Sequence, residues 1–380
     1  MAYTETTRTS YGKRLGNSLR GIGTGFLLFI GGTVLLWWNE GRAVRTTAML
    51  KEAQGQTVEM ADISRIDPSF EGKLVHAVGL AETADSLFDS QFNVGTRGIA
   101  MKREAKYYQW VEKSHSETKD KIGGESETTT TYTYDLEWTD SPVNSADFHE
   151  SQYRGENTVK QNVDDMTWYA DTVTFGAYRL NESQIRGIDS YTTLPVAGDS
   201  TMIYIGEDPG KPDVGDVMIT YTQISTPQKI SIIAKVTGDS FTHFTAKNGE
   251  TLSVLEKGEV SKDEMFDHLI KANKFWLWAL RIIGFFLVFY GLKGIFSIIE
   301  TLFKVLPFLA NIIGWGVGLV CGLVAFVWTI LIVVISWIAH RPILGISLLV
   351  VAGVAIWYFA THKKKGAPDE AEKGSEPPAA

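Results

Sequence analysis

The chain has 380 residues, 44% of them hydrophobic and 12% aromatic, ample for two ordinary domains with cores. Its charge is unevenly divided: residues 39–273 carry 23 Lys and Arg against 38 Asp and Glu, whereas the remainder carries 13 against 6. The acidic middle excludes nucleic acid as a partner, since neutralising phosphates takes clustered basic side chains, and the single cysteine, Cys321, excludes a disulfide framework.

Residues 1–20 hold Lys13, Arg14 and Arg20. Residues 21–38 are an apolar run, about 27 Å long as a helix, just enough to cross a hydrocarbon core of about 30 Å. A cleaved signal peptide is the competing reading. The run is long for one and ends in Trp37, Trp38, Asn39 and Glu40 without a small-x-small site, which favours an uncleaved anchor with both tryptophans in the headgroup belt.

Residues 39–260 read as a β-rich α+β domain. Residues 107–111 and 131–138 are predicted to pair as strands, Tyr132, Tyr134, Leu136 and Trp138 alternating on one face, with Gly123 and Gly124 at the hairpin end. Helical pieces are expected within 164–180 and 183–188. Strands follow at 217–224, 230–236, 241–245 and 252–255, with Gly238-Asp239 and Asn248-Gly249 as turns.

Ser261, three residues before Glu264, signs a helix start. Met265, Phe266, Leu269, Ile270 and Ala272 then make an apolar stripe over 261–274, an amphipathic linker helix running directly into a second span, 275–292. A cytoplasmic or interfacial segment, 293–311, leads to a third span at 312–338. His340, Arg341 and Pro342 form a tight connection to a fourth span at 343–360, and 361–380 is a disordered cytoplasmic tail. Lys13, Arg14 and Arg20, then Lys293 and Lys304, then Lys363, Lys364 and Lys365 all fall on one side if there are four crossings, so both termini are expected in the cytoplasm and the domain on the other face. The expected fold class is therefore a multi-pass α-helical membrane protein, one span plus three, with a large β-rich α+β non-cytoplasmic domain.

Candidate site residues are few. Arg281 lies about 9 Å down its span from Phe275; a guanidinium there must reach the interface or meet an acid, and Glu40, with Arg42 beside it, is the candidate partner. Gly314, Gly318 and Gly322 repeat at helical spacing, a face for packing within the bundle or between protomers. His76 reads as a core histidine before a ligand or base, and Asp213, Asp216, Glu207 and Asp208 as a solvated turn before a cation site. No catalytic, cofactor or metal motif is present: G-x-S-x-G, H-E-x-x-H, a Walker loop and paired cysteines are all missing.

The residues also resemble the transmembrane protein 43 family, or LUMA, over nearly the whole chain. Asn39-Glu40-Gly41-Arg42-Ala43 after the first span, Glu71-Gly72-Lys73-Leu74-Val75-His76, Tyr108-Gln109-Trp110-Val111-Glu112, Tyr132-Thr133-Tyr134, Glu137-Trp138, Pro212-Asp213-Val214-Gly215-Asp216 and the helix opening near Ser261 occur in that family's order. The resemblance implies a multi-pass protein with its domain on the non-cytoplasmic side, in the endoplasmic reticulum and nuclear envelope (inner nuclear membrane) for eukaryotic members, acting in protein complexes; a bacterial chain would sit in the inner membrane. It carries no catalytic residues. The expected function is a non-enzymatic scaffold or organiser, a homo-oligomer binding membrane lipids and other membrane or envelope proteins. The rival is a membrane-embedded enzyme or transporter acting on lipid or envelope substrates, which would need polar residues converging inside the bundle.

Overall fold

A computed structural model describes residues 2–340 except 199 and 306, and a few positions between 347 and 358. The expected tail lies outside the described residues, as do twelve of the eighteen positions of the expected fourth span. Among the described residues three helices are long and apolar enough to cross a membrane.

The first, α1 (Tyr11–Gln56), opens on Ser10, whose hydroxyl accepts from the Lys13 N–H. At 46 residues it is about 69 Å long, more than twice a hydrocarbon core. The predicted boundary at residue 38 is thus no helix end. Ala43, Met49, Leu50 and Ala53 recur on one face, and that face carries the helix onward into the domain. After a short helix, α2 (Glu182–Gly187), capped by a reciprocal Asn181–Gln184 box, comes α3 (Lys262–Leu302), where the Ser261 hydroxyl accepts from the Glu264 N–H as the spacing predicted. It continues ten residues beyond the predicted end at 292, so most of 293–311 is helix. A 3-10 turn, Phe303–Val305, joins it to α4 (Pro307–His340), which begins earlier than the predicted 312 because proline, lacking an N–H, is tolerated in a first helical turn.

α1 and α3 lie antiparallel in close backbone contact. A β-carbon added to Gly25 would stand 2.6 Å from the Gly291 carbonyl oxygen, and one on Gly32 2.9 Å from the Val288 nitrogen. Glycine is required at both positions for the helices to approach this closely. The face singled out on α4 is looser: a β-carbon on Gly314 would meet the Glu300 side chain at 3.0 Å, one on Gly322 the Phe289 ring at 3.7 Å, and one on Gly318 open space. Leu36, Val288, Leu292, Cys321, Ala325 and Ile332 form the bundle core.

The domain is two large sheets and a two-stranded ribbon that pairs Phe244–Thr245 with Thr251–Leu252. Its strands before α2 are β1 (Ala2–Thr9), β2 (Val58–Met60), β3 (Leu74–Glu82), β4 (Ser86–Asp89), β5 (Val94–Asp120), β6 (Ser126–Thr139), β7 (Met166–Tyr169), β8 (Thr174–Phe175) and β9 (Tyr178–Arg179); after it come β10 (Thr192–Thr193), β11 (Met202–Ile205), β12 (Val217–Ser225), β13 (Gln228–Thr237), β14 (Ser240–Thr242), β15 (Phe244–Thr245), β16 (Thr251–Leu252) and β17 (Val254–Lys257). One sheet runs β1-β6-β5-β12-β10, and in the other β13 is flanked by β3 and β17. The predicted strands are all present but β5 and β6 are much longer than the sequence pattern suggested: β5 also takes in residues 94–106, with Ile99, Ala100 and Met101 buried, and the outer halves of both strands are polar on both faces and show no alternation. Residues 164–180, expected to include helix, hold short strands instead; β-branched Thr167, Val173 and Thr174 sit among aromatics that suit a sheet. Ile99, Ile224, Ile230, Ile232, Phe175, Tyr178 and Phe241 are buried in the core between the sheets. A separate core joins domain to bundle: Met49, Leu50 and Ala53 of α1 and Met265 and Phe266 of α3 pack on Leu74, Ile233, Phe244 and Leu252.

The β5–β6 hairpin reaches back along the bundle. From the Tyr107–Thr139 pair to the Asp120–Ser126 pair it extends about 43 Å, close to the ~42 Å of α1 between Arg14 and Arg42. Its tip therefore meets the start of α1: Arg14 pairs with Asp120 at 2.7 Å and donates to the Gly124 carbonyl, and the Gly123 N–H donates to Val305. β1 lies antiparallel on β6, Ala2 opposite Thr133 and Thr9 opposite Ser126. The charge pattern had placed the hairpin and these N-terminal residues on opposite faces of the bilayer. The two arrangements exclude one another in a single conformation, because polar strands cannot lie against hydrocarbon.

Replacing Gly25 by Ala should force α1 from α3 and cost roughly 1–3 kcal/mol, the usual range for overpacking. The same change at Gly318 should be nearly neutral; thermal unfolding in detergent, compared between the two variants, checks this.

Candidate functional site

The sequence Asn39-Glu40-Gly41-Arg42 leaves the apolar part of α1 at the level where α3 passes from domain to membrane. Glu40 is buried, and both of its oxygens are held by Arg281 of α3, Nε to Oε1 at 2.5 Å and Nη2 to Oε2 at 2.9 Å. Trp337 of α4 donates its indole N–H to the same carboxylate at 2.7 Å. The guanidinium also lies 4.8 Å from the Trp278 ring centroid and 5.8 Å from that of Trp337. The proposed Glu40–Arg281 contact is thus formed, as a two-pronged, charge-assisted pair that also ties in the third helix.

Arg42 turns the other way. It donates to the Asn273 side chain at 3.1 Å and to Asn39 at 3.3 Å, while Asn39 donates to the Leu277 carbonyl and Asn273 to the Ala43 carbonyl and the Thr47 hydroxyl. Gly41 is small for a reason: a β-carbon there would lie 2.7 Å from Nε2 of His340, whose Nδ1 bonds to the Ser336 carbonyl. Asn39, Asn273, Trp337 and His340 were missed by the sequence reading. Asparagines at a membrane exit look like ordinary interfacial residues, and only the helix register reveals that they face one another.

Other predicted residues fall elsewhere. His76 is buried on β3, its Nδ1 2.6 Å from Glu59 and its Nε2 2.9 Å from the Val260 carbonyl, so it ties the first strands to the residue before α3's cap. Asp216 is not the solvated turn residue expected. It is fully buried, paired with Lys160 at 2.5 Å, and accepts from the Tyr204 hydroxyl and the Asp213 N–H; Glu207 and Asp208 are exposed. Burial alone would push its carboxyl up, but Lys160, Tyr204 and the Asp213 N–H outweigh that and hold it below the usual carboxylate range. Asp89 is likewise buried and held down against its burial, by Tyr221, the Gln91 N–H and Arg103. Among the described residues no three His, Cys, Asp or Glu side chains gather as a metal site would require.

These features define an integral membrane protein in which a β-rich domain is carried on two continuous helices and locked to a third by a charged clamp. The family model described as Transmembrane protein 43 matches residues 107–342. Transmembrane protein 43 of Homo sapiens is 28% identical over 367 residues, covering 90% of each chain. That of Mus musculus is 29% identical over 354 residues, covering 87% of each, and the Drosophila melanogaster homolog is 27% identical, covering 88% of this chain and 93% of its own. No solved structure matches. The chain belongs to the transmembrane protein 43 family.

Glu40→Gln should leave the Arg281 charge buried without a counterion and destabilise by about 3–5 kcal/mol, the cost of breaking a buried pair; the thermal midpoint of the detergent-solubilised protein measures it. A second expectation concerns acid. Because Asp216 is depressed in the folded state, its contribution is complete above the unfolded carboxylate value and disappears as pH falls through the lower folded value. Asp216→Asn should therefore flatten the pH dependence of stability on the acid side, read from denaturation midpoints.

Proposed function

We propose that this protein is a non-enzymatic membrane organiser. Its β-rich domain stands on the non-cytoplasmic face and binds protein partners or lipid headgroups, while its spans, including a fourth crossing at 343–360, associate laterally. The observation that carries this reading is the clamp. Each of its ionic and amide side chains reaches another helix, although the buried Arg42 Nε finds no hydrogen-bond partner among the described residues, so the clamp supports rigid coupling of domain to bilayer rather than chemistry on a substrate. The basic residues Lys13, Arg14, Arg20, Lys293 and Lys304 at the opposite end of the bundle support the orientation. In that orientation α1 carries residues 2–9 to the cytoplasmic side, and their pairing with the hairpin is released.

Tags at Gly124 and Ala380 test it. Labelling from opposite faces of sealed vesicles is the expected result, and labelling from one face would overturn the orientation and with it the exported role.

A further inference from the structure

β6 has two edges, one on β5 and the other on β1. The strand seated on the outer edge resembles the edge itself. β1 reads Thr4-Glu5-Thr6-Thr7-Arg8-Thr9, and β6 reads Ser126-Glu127-Thr128-Thr129-Thr130-Thr131, a hydroxyl, a glutamate, two threonines, a variable position and a threonine in both. Six of the paired positions in the structure are therefore occupied by a near copy of β6, with threonine opposite threonine at Thr4–Thr131, Thr6–Thr129 and Thr7–Thr128. The one ion pair in the contact, Arg8–Glu127, is 77% exposed at Arg8 and contributes little, and Glu127 also has Lys121 at 3.3 Å.

This argument rests on the orientation proposed above. With α1 crossing the bilayer, β1 is withdrawn and the outer edge of residues 126–131 is left bare, with Thr-rich, β-branched backbone groups unpaired. Such an edge recruits another strand. We infer that residues 126–131 of β6 form a self-association edge, on which β6 of a second copy lies antiparallel in the place that β1 holds. A two-fold axis through such a pair stands perpendicular to the sheet and makes one residue face its own copy. β1's position is shifted by one residue from that condition, so the symmetric register centres on Thr128 or on Thr129. Either register puts only hydroxyl side chains opposite the Glu127 of each copy.

Single cysteines at these positions test it, in the full chain reconstituted in nanodiscs and in native membranes. Directly opposed residues of antiparallel strands lie about 4.5–5.5 Å apart at Cα, within disulfide reach of about 4.4–6.8 Å. Mild oxidation should give a covalent dimer from Thr128→Cys or from Thr129→Cys, one far more than the other, because only the residue at the centre of the register faces its own copy while the other is offset from its copy by two positions, beyond disulfide reach. Wild type, whose Cys321 is buried in the bundle, should give none. The pair Thr6→Cys with Thr129→Cys in one chain reads the alternative. An intrachain disulfide there in membranes would show β1 still seated on the edge and overturn the inference. Monomer alone from both single variants would overturn it too. If both single variants give monomer alone while the Gly124 and Ala380 tags still label from opposite faces, the orientation survives and the edge contact does not; the intrachain disulfide would put residues 2–9 on the hairpin's face of the bilayer and overturn both.

Discussion

One buried ion pair organises this molecule. Glu40 and Arg281 sit where two helices leave the lipid, and removing both charges from water is affordable only because each prong of the guanidinium meets an oxygen and Trp337 supplies a further donor. The pair fixes the rotation and height of α1 against α3. With those set, Asn39 and Asn273 find their carbonyls, Gly41 accommodates His340, and the glycines at Gly25, Gly32, Gly284 and Gly291 come into backbone contact lower in the bundle.

From the clamp upward the same two helices become part of the soluble core. Met49, Leu50 and Ala53 face Met265 and Phe266 across Ile233 and Phe244, so no flexible linker separates membrane from domain. His76, bonded at once to Glu59 and to the Val260 carbonyl, fastens the inner sheet to the same junction. A force or a partner acting on the domain would be felt as tilt of α1 and α3 together. This continuity suits the proposed organiser role, in which the protein holds geometry.

The long β5–β6 hairpin introduces a second theme. A polar ribbon matching the length of the bundle satisfies its outer edge with the N-terminal strand in the structure, while the orientation proposed from the charge distribution would carry that strand across the bilayer. Threonine-rich strands without apolar alternation pair by backbone hydrogen bonds and small side-chain contacts, and they specify register and partner weakly. One edge with two possible occupants follows from that weakness.

Much of this was legible in the residues. The crossings described, the helix start at Ser261, the hairpin, the later strands and the Glu40–Arg281 contact all follow from local signals: apolar runs of bilayer length, capping spacing, turn residues, and a charge that could not remain alone in hydrocarbon. The tertiary structure decided what has no local signature. Helix ends at Gln56 and Leu302 depend on docking against the domain and on the turn at Phe303, the burial of Asp216 on Lys160 and Tyr204 reached from other strands, and the choice of close-packed glycines on which helix faces which. Periodicity reports that a face is apolar or small; the register between segments far apart in sequence, which only folding fixes, determines what that face meets.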